Sequence, residues 1–289
     1  RGTNETVVCY DRANGLERWH YSYPALFSTS EPMGGNGPRT TPTIVGDRVY
    51  TLGGAGDLHC LDGLTGQRIW HVNILADNQA VNLEWGMSGS PLVHGELVIV
   101  NPGINPAANS KQAVAAYNRN TGKKVWSTGS HQAGYASPML ATFAGVEQVL
   151  VFDADGLGSY AIENGQELWH HPWKTDMGMN SAQPLILDSE TLFISSEKSN
   201  GGARIKITKN EAGWSTKALW QTRAMSARYS SPVLYKDHIY GLTDGRLTCV
   251  SIENGRRKWA EGNFGKGQIL LGGATLVITG ENGQFSFVE

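Results

Sequence analysis

Short apolar segments separated by glycine-containing turns run along the whole chain. In residues 39–73, Gly-Asp, Gly-Gly and Thr-Gly pairs bound four segments that are rich in Val, Ile, Leu, Tyr and Thr. The segments are Thr41–Val45, Arg48–Leu52, Leu58–Asp62 and Gln67–Val72. Each has the length and composition of a β-strand. The pattern therefore predicts a four-stranded antiparallel meander.

Two markers show that this unit is repeated. A glycine is followed four residues later by a tryptophan at Gly15/Trp19, Gly66/Trp70, Gly122/Trp126, Gly165/Trp169 and Gly255/Trp259. A proline after a small or polar residue recurs in phase with these pairs, at Pro42, Pro91, Pro138, Pro184 and Pro232. Self-similarity at this period is typical of propellers, solenoids and arrays, because each unit leaves one apolar face bare until its neighbours cover it.

The turn pattern divides the chain into five full units and two partial ones. The full units are 39–73, 90–128, 137–171, 183–222 and 231–261, and the partial units are 6–22 and 268–289. We therefore predict an all-β fold, a β-propeller of four-stranded antiparallel blades, as a single domain over residues 1–289.

The partial units bear on whether the ring is complete. They supply two and three strands, whereas a blade that joins the two termini of a ring needs four in all. We expect an open section of a seven- or eight-bladed ring, trimmed from a longer protein, and a closed ring of six or seven blades is the alternative.

The tryptophans of the fourth, outermost strands are predicted to dock neighbouring blades. An indole between adjacent sheets buries about 150 to 250 Å². The docking candidates are Trp19, Trp70, Trp126, Trp169, Trp220 and Trp259, although Trp220 lacks the glycine four residues before it. Trp173, which follows a proline, is expected to be exposed.

The three cysteines occupy one slot of the repeat. Cys9, Cys60 and Cys249 each lie six residues before the marker glycine of their unit. Equivalent positions on different blades lie too far apart for a disulfide, which needs Cα atoms within about 7 Å. The sequence therefore predicts three buried, free thiols.

Charge and composition argue against nucleic-acid binding and against a transmembrane segment. The formal net charge is −2, which gives no general attraction to nucleic acid. No apolar run approaches the ~20 residues of a spanning helix, so no transmembrane segment is predicted. We expect a monomer.

The repeat resembles a known family. A strand that ends in Asp or Asn, then TG, then Trp four residues on, as in CLDGLTGQRIW and AYNRNTGKKVW, resembles the pyrroloquinoline-quinone-type β-propeller repeat. The resemblance covers essentially the whole chain. It implies a relative of the exported quinoprotein-like propellers of bacteria, often labelled polyvinyl-alcohol dehydrogenase-like, or of the outer-membrane assembly lipoprotein. It also implies a periplasmic or other extracytoplasmic location.

The residue types that a quinoprotein dehydrogenase needs can be looked for in this sequence. Quinoprotein alcohol dehydrogenases carry adjacent cysteines under the quinone and bind Ca²⁺ beside it, and this chain has no Cys-Cys pair. The segments that lead into the inner strands contribute no acid, and Glu84 is the nearest carboxylate. We therefore predict no catalytic residue, no metal site and no cofactor, hence a non-catalytic binding or scaffold module of the bacterial cell envelope. The alternatives are a dehydrogenase that uses pyrroloquinoline quinone (PQQ) and Ca²⁺, another enzyme, or a carbohydrate-binding module.

Residues just before each inner strand converge on the funnel of a propeller. Cationic, aromatic and amide side chains there suit a protein, or a small carbohydrate-like or anionic ligand. The candidates are Arg39, Trp85, Tyr135, Asn180, Arg228 and Tyr229. The alternative is that they only fill and solvate the channel.

Overall fold

The computed structural model describes residues 3–25, 37–108, 110–197 and 199–289. The chain forms two compact units, one from residues up to 133 together with 163–166 and the other from 134–162 and 167–289. Both consist of antiparallel sheets whose strands follow one another in chain order. Within the described ranges, no helix is long and apolar enough to cross a membrane.

The first unit contains three sheets and one short helix. The two-stranded sheet consists of β1 (Asn4–Tyr10) and β2 (Glu17–Pro24). The next sheet consists of β3 (Thr43–Val45), β4 (Arg48–Leu52), β5 (Asp57–Asp62) and β6 (Arg68–Asn73). The third consists of β7 (Leu92–His94), β8 (Leu97–Val100), β9 (Val114–Asn118) and β10 (Lys124–Thr128). Helix α1 (Ile74–Asp77) follows β6, and a 3₁₀ turn at Pro106–Ala108 precedes β9.

The second unit contains three four-stranded sheets and a three-stranded one. The first consists of β11 (Met139–Phe143), β12 (Val146–Phe152), β13 (Gly156–Ala161) and β14 (Glu167–Pro172). The second consists of β15 (Leu185–Ile186), β16 (Thr191–Ser195), β17 (Gly202–Asn210) and β18 (Gly213–Thr222). The third consists of β19 (Val233–Tyr235), β20 (His238–Thr243), β21 (Arg246–Ser251) and β22 (Arg257–Glu261). The last consists of β23 (Gln268–Gly272), β24 (Thr275–Thr279) and β25 (Phe285–Val288).

These sheets confirm the predicted all-β fold of five complete and two partial antiparallel blades. The number of blades in the whole ring and the single domain stay predictions.

The turn between β5 and β6 shows why the repeat needs its polar residues. Asp62 Oδ1 accepts hydrogen bonds from the backbone N–H and the hydroxyl of Thr65, both at 2.8 Å. Gly66 then takes φ = 73°, a left-handed conformation that costs glycine little. Its N–H closes the turn on the Asp62 carbonyl at 2.8 Å.

Apolar side chains fill the space between neighbouring sheets. In the first unit, Tyr50, Leu58, Val98 and Tyr117 are almost fully buried in one cluster with Trp70. These residues come from facing strands of two sheets, so burial of their apolar surface holds the blades together.

Four of the docking tryptophans lie on the turn glycine of the following blade. A methyl group added at the glycine would come within 2.8 Å of the indole. The pairs are Trp19 on Gly66, Trp70 on Gly122, Trp126 on Gly165, and Trp220 on Gly255. Only glycine therefore allows the indole to approach so closely.

The indole nitrogen adds a hydrogen bond to this contact. Trp70 Nε1 donates to the Arg119 carbonyl at 2.9 Å, and the Tyr50 hydroxyl donates to the same oxygen at 3.2 Å. Trp19 Nε1 donates to the Gly63 carbonyl at 3.0 Å. The docking contact thus combines apolar burial with a bond to the turn backbone.

The blade of β15–β18 departs from this arrangement. Its outer hairpin β17–β18 is long, and Gly213 at its tip has no atom within 4 Å of an added methyl group. Trp169, from the preceding blade, instead donates from Nε1 to Gln148 Oε1 of its own sheet at 2.7 Å.

Trp259 is half-buried and packs on the cluster that contains Leu276 and Ile278 of the last sheet. The sixth docking candidate therefore contacts a neighbouring sheet.

The prediction that Trp173 is exposed is wrong. Its exposed fraction is 7%, and its Nε1 donates to Ser196 Oγ at 2.7 Å. The Trp173 N–H bonds the Asp155 carbonyl at 2.9 Å. Because that bond turns the chain back after β14, the indole enters the core.

The repeat position that holds the cysteines is paired with the docking tryptophan in the ladder of the two outer strands. Cys9 pairs with Trp19, Cys60 with Trp70, and Cys249 with Trp259. All three thiols are free, and Cys60 and Cys249 are buried as predicted. Cys9 is only half-buried, because its sheet has just two strands and it lines an open groove.

Candidate functional site

Arg39 and Trp85, the two candidates of the first unit, are in contact. Arg39 Nη1 donates to the Trp85 carbonyl at 2.8 Å and to the Gly37 carbonyl at 3.3 Å. Trp85 is buried in a turn that ends with Met87, whose N–H bonds the Gly54 carbonyl at 3.0 Å. The Arg39 side chain therefore ties the segment before β3 to the segment before β7.

Tyr135 and Asn180 are joined through the backbone in the second unit. The Asn180 carbonyl accepts the N–H groups of Tyr135 and Ala136 at 2.8 and 3.0 Å. The Asn180 side chain is 0% exposed, and its Nδ2 donates to the carbonyls of Asp153 and Trp173. This arrangement makes Asn180 a link between loops, with its amide directed into the protein.

Arg228 and Tyr229 line a cavity of about 300 Å³ in the second unit. The Arg228 guanidinium carbon lies 5.0 Å from the centre of the Tyr229 ring, and Lys266 Nζ lies 5.6 Å from the same centre. Two cations thus lie against one aromatic ring, where the quadrupole of the ring attracts them. Buried Ser230 and the carboxylate of Glu281 also line this space, which we call the Arg228 cavity.

Sequence reasoning missed Lys266 at this cavity. The candidates were chosen as the residues before the inner strands of the five full blades. Lys266 stands two residues before β23, the inner strand of the partial blade that follows. The same rule, applied to the last partial blade, selects it.

The donor set does not fit a quinone–calcium site of the dehydrogenase kind. Ca²⁺ binds six to eight oxygen ligands, several of them carboxylates. In the segments before the inner strands Glu84 is the nearest acid, and it is exposed beside buried Trp85. The described residues of these segments therefore do not supply the ligands of a PQQ–Ca²⁺ site.

The first unit also contains a buried histidine cluster. His59 is 2% exposed, and its ring stacks on His71 with the centroids 4.5 Å apart. Tyr23 packs 4.3 Å from the His59 ring, and His71 Nε2 bonds Asp57 Oδ1 at 2.8 Å. Neither nitrogen of His59 has a hydrogen-bond partner in the described part of the chain. Burial, and after it the neighbouring His71, lower the pKa of His59 to about 4.

A family model connects the chain with known proteins. The model described as outer membrane protein assembly factor BamB matches residues 3–261. The chain belongs to this family. The match includes all five complete blades.

Individual relatives agree with the family. BamB of Burkholderia pseudomallei (strain K96243) is 20% identical over 251 residues, which are 84% of this chain and 60% of that protein. The chain therefore spans only 60% of the length of this curated relative. The crystal structure of BamB from Moraxella catarrhalis has 17% identity and a TM-score of 0.62 and covers 98% of this chain and 80% of that one.

A designed protein named Ika8 shares the fold at a TM-score of 0.56 and 14% identity, with 87% of this chain and 70% of that one covered. Together with the sheets, the likeness to BamB confirms the β-propeller fold. At these identities the likeness concerns the fold alone.

Proposed function

We propose that this chain is a non-catalytic propeller that binds proteins during the assembly of outer membrane proteins in the cell envelope. The match of the assembly-factor family along residues 3–261 carries the proposal. We also propose a location on the periplasmic side, which the relatives' role in the assembly of outer membrane proteins supports. We further propose that the chain needs no cofactor and acts as a monomer.

The donor set supports a binding role over the dehydrogenase alternative. Two of the polar candidates, Arg39 and Asn180, are engaged in holding loops. Among the described residues of the segments before the inner strands, Glu84 is the nearest acid, and it is exposed. A face of ordered loops with aromatic side chains such as Tyr135 suits contact with a protein.

A genetic experiment tests this proposal. We expect deletion of the gene in its host to lower the folded fraction of outer membrane β-barrel proteins, measured by their heat-modifiable migration in gels. Re-expression of the whole protein should restore that fraction. An unchanged fraction in the deletion strain would contradict the proposal.

Two variants test where the binding face lies. Tyr135→Ala changes a half-buried aromatic residue among the funnel candidates, and Leu64→Ala changes an exposed apolar residue in an outer turn. At equal expression, we expect Tyr135→Ala to restore less of the folded fraction than Leu64→Ala. Equal restoration would exclude the funnel loops near Tyr135 as the binding face.

A further inference from the structure

Arg228 forms no ion pair with a carboxylate among the described residues, although Asp244 and Glu281 line the same cavity. The side chain is half-buried, and its Nη2 reaches only the sulfur of Met179, a weak acceptor, at 3.5 Å. Its Nε is buried and has no hydrogen-bond partner in the same described ranges. Desolvated donors of a charged group are costly to leave unpaired. Within the described residues the guanidinium therefore has only a weak sulfur acceptor.

Lys266 brings a second cation to the same ring. It is exposed and makes no ion pair with any described residue, and its ammonium group lies 5.6 Å from the centre of the Tyr229 ring. Gln268 Nε2 donates to the backbone carbonyl of Tyr229 at 3.1 Å. Two cations without an ion pair and one aromatic ring thus line the same cavity.

The carboxylate of Glu281 is already engaged. Its Oε2 accepts the backbone N–H of Lys266 at 3.1 Å, and it packs so closely on Gly265 that an added methyl group would overlap it. Glu281 therefore shapes the loop before β23. Asp244 is the second carboxylate of the lining. With two acids present, a dianion such as phosphate meets more repulsion than a monoanion does.

We propose that the Arg228 cavity binds a carboxylate group, carried either by a small organic acid or by an acidic side chain of a peptide. The planar guanidinium matches a carboxylate in geometry, and Lys266 adds a point charge. A volume of about 300 Å³ is at the lower end of ligand pockets, which suits a small acid or a single side chain. This site is independent of the proposed assembly role, because the cavity can be tested on the isolated protein.

Calorimetric titration of the purified chain tests the proposal. N-acetylglycine supplies a free monoanionic acid. The blocked peptide acetyl-Gly-Glu-Gly-amide supplies the same group as a side chain, and acetyl-Gly-Gln-Gly-amide is its neutral match. We expect at least one carboxylate probe to bind with a dissociation constant below about 10 mM, and the neutral peptide to bind at least about tenfold more weakly. Binding of N-acetylglycine alone identifies a small acid as the ligand, and binding of the Glu peptide alone identifies a protein side chain.

Three variants assign the binding to the cavity. Lys266→Gln removes an exposed charge and should weaken the bound probe about tenfold, and Arg228→Gln should weaken it at least as much. Arg256→Gln removes an exposed cation in the turn before β22 and should leave the affinity unchanged. Lys266→Gln is decisive even if the half-buried Arg228→Gln lowers the melting temperature.

Three results would overturn the proposal. The first is the absence of binding by either carboxylate probe. The second is an equal loss of affinity in Arg256→Gln and Lys266→Gln, which would indicate a general charge effect. The third is tighter binding of inorganic phosphate than of both carboxylates.

Discussion

The contact between Trp70 and Gly122 gives the sharpest test of how the blades are joined. Gly122 has φ = 69°, and a methyl group placed on it would lie 2.8 Å from Cδ2 and Cε3 of the indole. Gly122→Ala therefore introduces two separate costs, backbone strain and overlap with the ring. Removing the ring by Trp70→Ala should abolish the second cost only.

The magnitudes follow from the two costs. A non-glycine residue in the left-handed region costs about 1 to 2 kcal/mol. Overpacking a filled contact costs about 1 to 3 kcal/mol more. Gly122→Ala should thus lower the free energy of unfolding by about 2 to 5 kcal/mol in the wild-type background and by about 1 to 2 kcal/mol beside Trp70→Ala.

Trp70→Ala alone should cost about 3 to 5 kcal/mol, mainly as lost burial and a new cavity. The Arg119 carbonyl keeps the hydrogen bond from the Tyr50 hydroxyl at 3.2 Å, so the loss of the indole N–H does not leave this acceptor unsatisfied. The double variant should therefore be more stable than the sum of the single changes, by about 1 to 3 kcal/mol.

Urea unfolding followed by far-ultraviolet circular dichroism measures all four proteins, because this signal comes mainly from the backbone and, unlike intrinsic fluorescence, does not rely on the indoles. Gly95→Ala is the matched control, since Gly95 also has positive φ (53°) but has no atom within 4 Å of the added methyl group. It should cost only the backbone strain in both backgrounds. Equal costs of Gly122→Ala with and without the indole would refute the docking contact.

Three further outcomes are expected. Because the pKa of His59 is lowered to about 4 in the folded state, its contribution to stability is full above pH 6.5 and falls by about 2 kcal/mol on acidification to pH 5; acidification should therefore lower the unfolding midpoint of wild type more than that of His59→Phe, and parallel pH profiles would argue against this cause. A thiol reagent should modify Cys9 quickly in the native protein and Cys60 and Cys249 only on unfolding, so three fast equivalents would contradict their burial. With added PQQ and Ca²⁺, ethanol should give no steady dye reduction, and sustained reduction that Trp85→Ala abolishes would favour the dehydrogenase alternative.

The repeat made the blades predictable because its signals are local. Glycine, a short polar residue and proline each restrict the backbone within a few residues, so their spacing locates turns and strands. The predicted bounds of the inner strands were less accurate. The sequence predicts a strand over Thr41–Val45, whereas β3 begins at Thr43. Pro42 has no N–H to donate to the sheet, and the ladder of backbone hydrogen bonds starts after it.

The candidate site depended on the paths of loops, which local signals do not fix. Nothing in the sequence shows that the Arg39 side chain bonds the carbonyl of Trp85, or that the amide of Asn180 is buried between loops. The burial of Trp173 depends on a loop path in the same way, since the hydrogen bond from its backbone N–H to the Asp155 carbonyl directs the side chain inward. The position of Lys266, by contrast, could be predicted from the sequence, because Lys266 precedes the inner strand β23.

The blade with the long β17–β18 hairpin distinguishes otherwise interchangeable parts of the chain. During folding, an indole such as Trp70 meets several turn glycines in nearly identical surroundings, and pairing with the wrong one gives a misassembled, kinetically trapped repeat array. Trp169 makes a different contact, because its Nε1 donates to Gln148 Oε1 of its own sheet. On the same strand, His171 Nδ1 lies 3.0 Å from Thr216 Oγ1 of the long hairpin. The β15–β18 blade therefore makes contacts that differ from those of the other blades, and this difference favours the correct order of blades during folding.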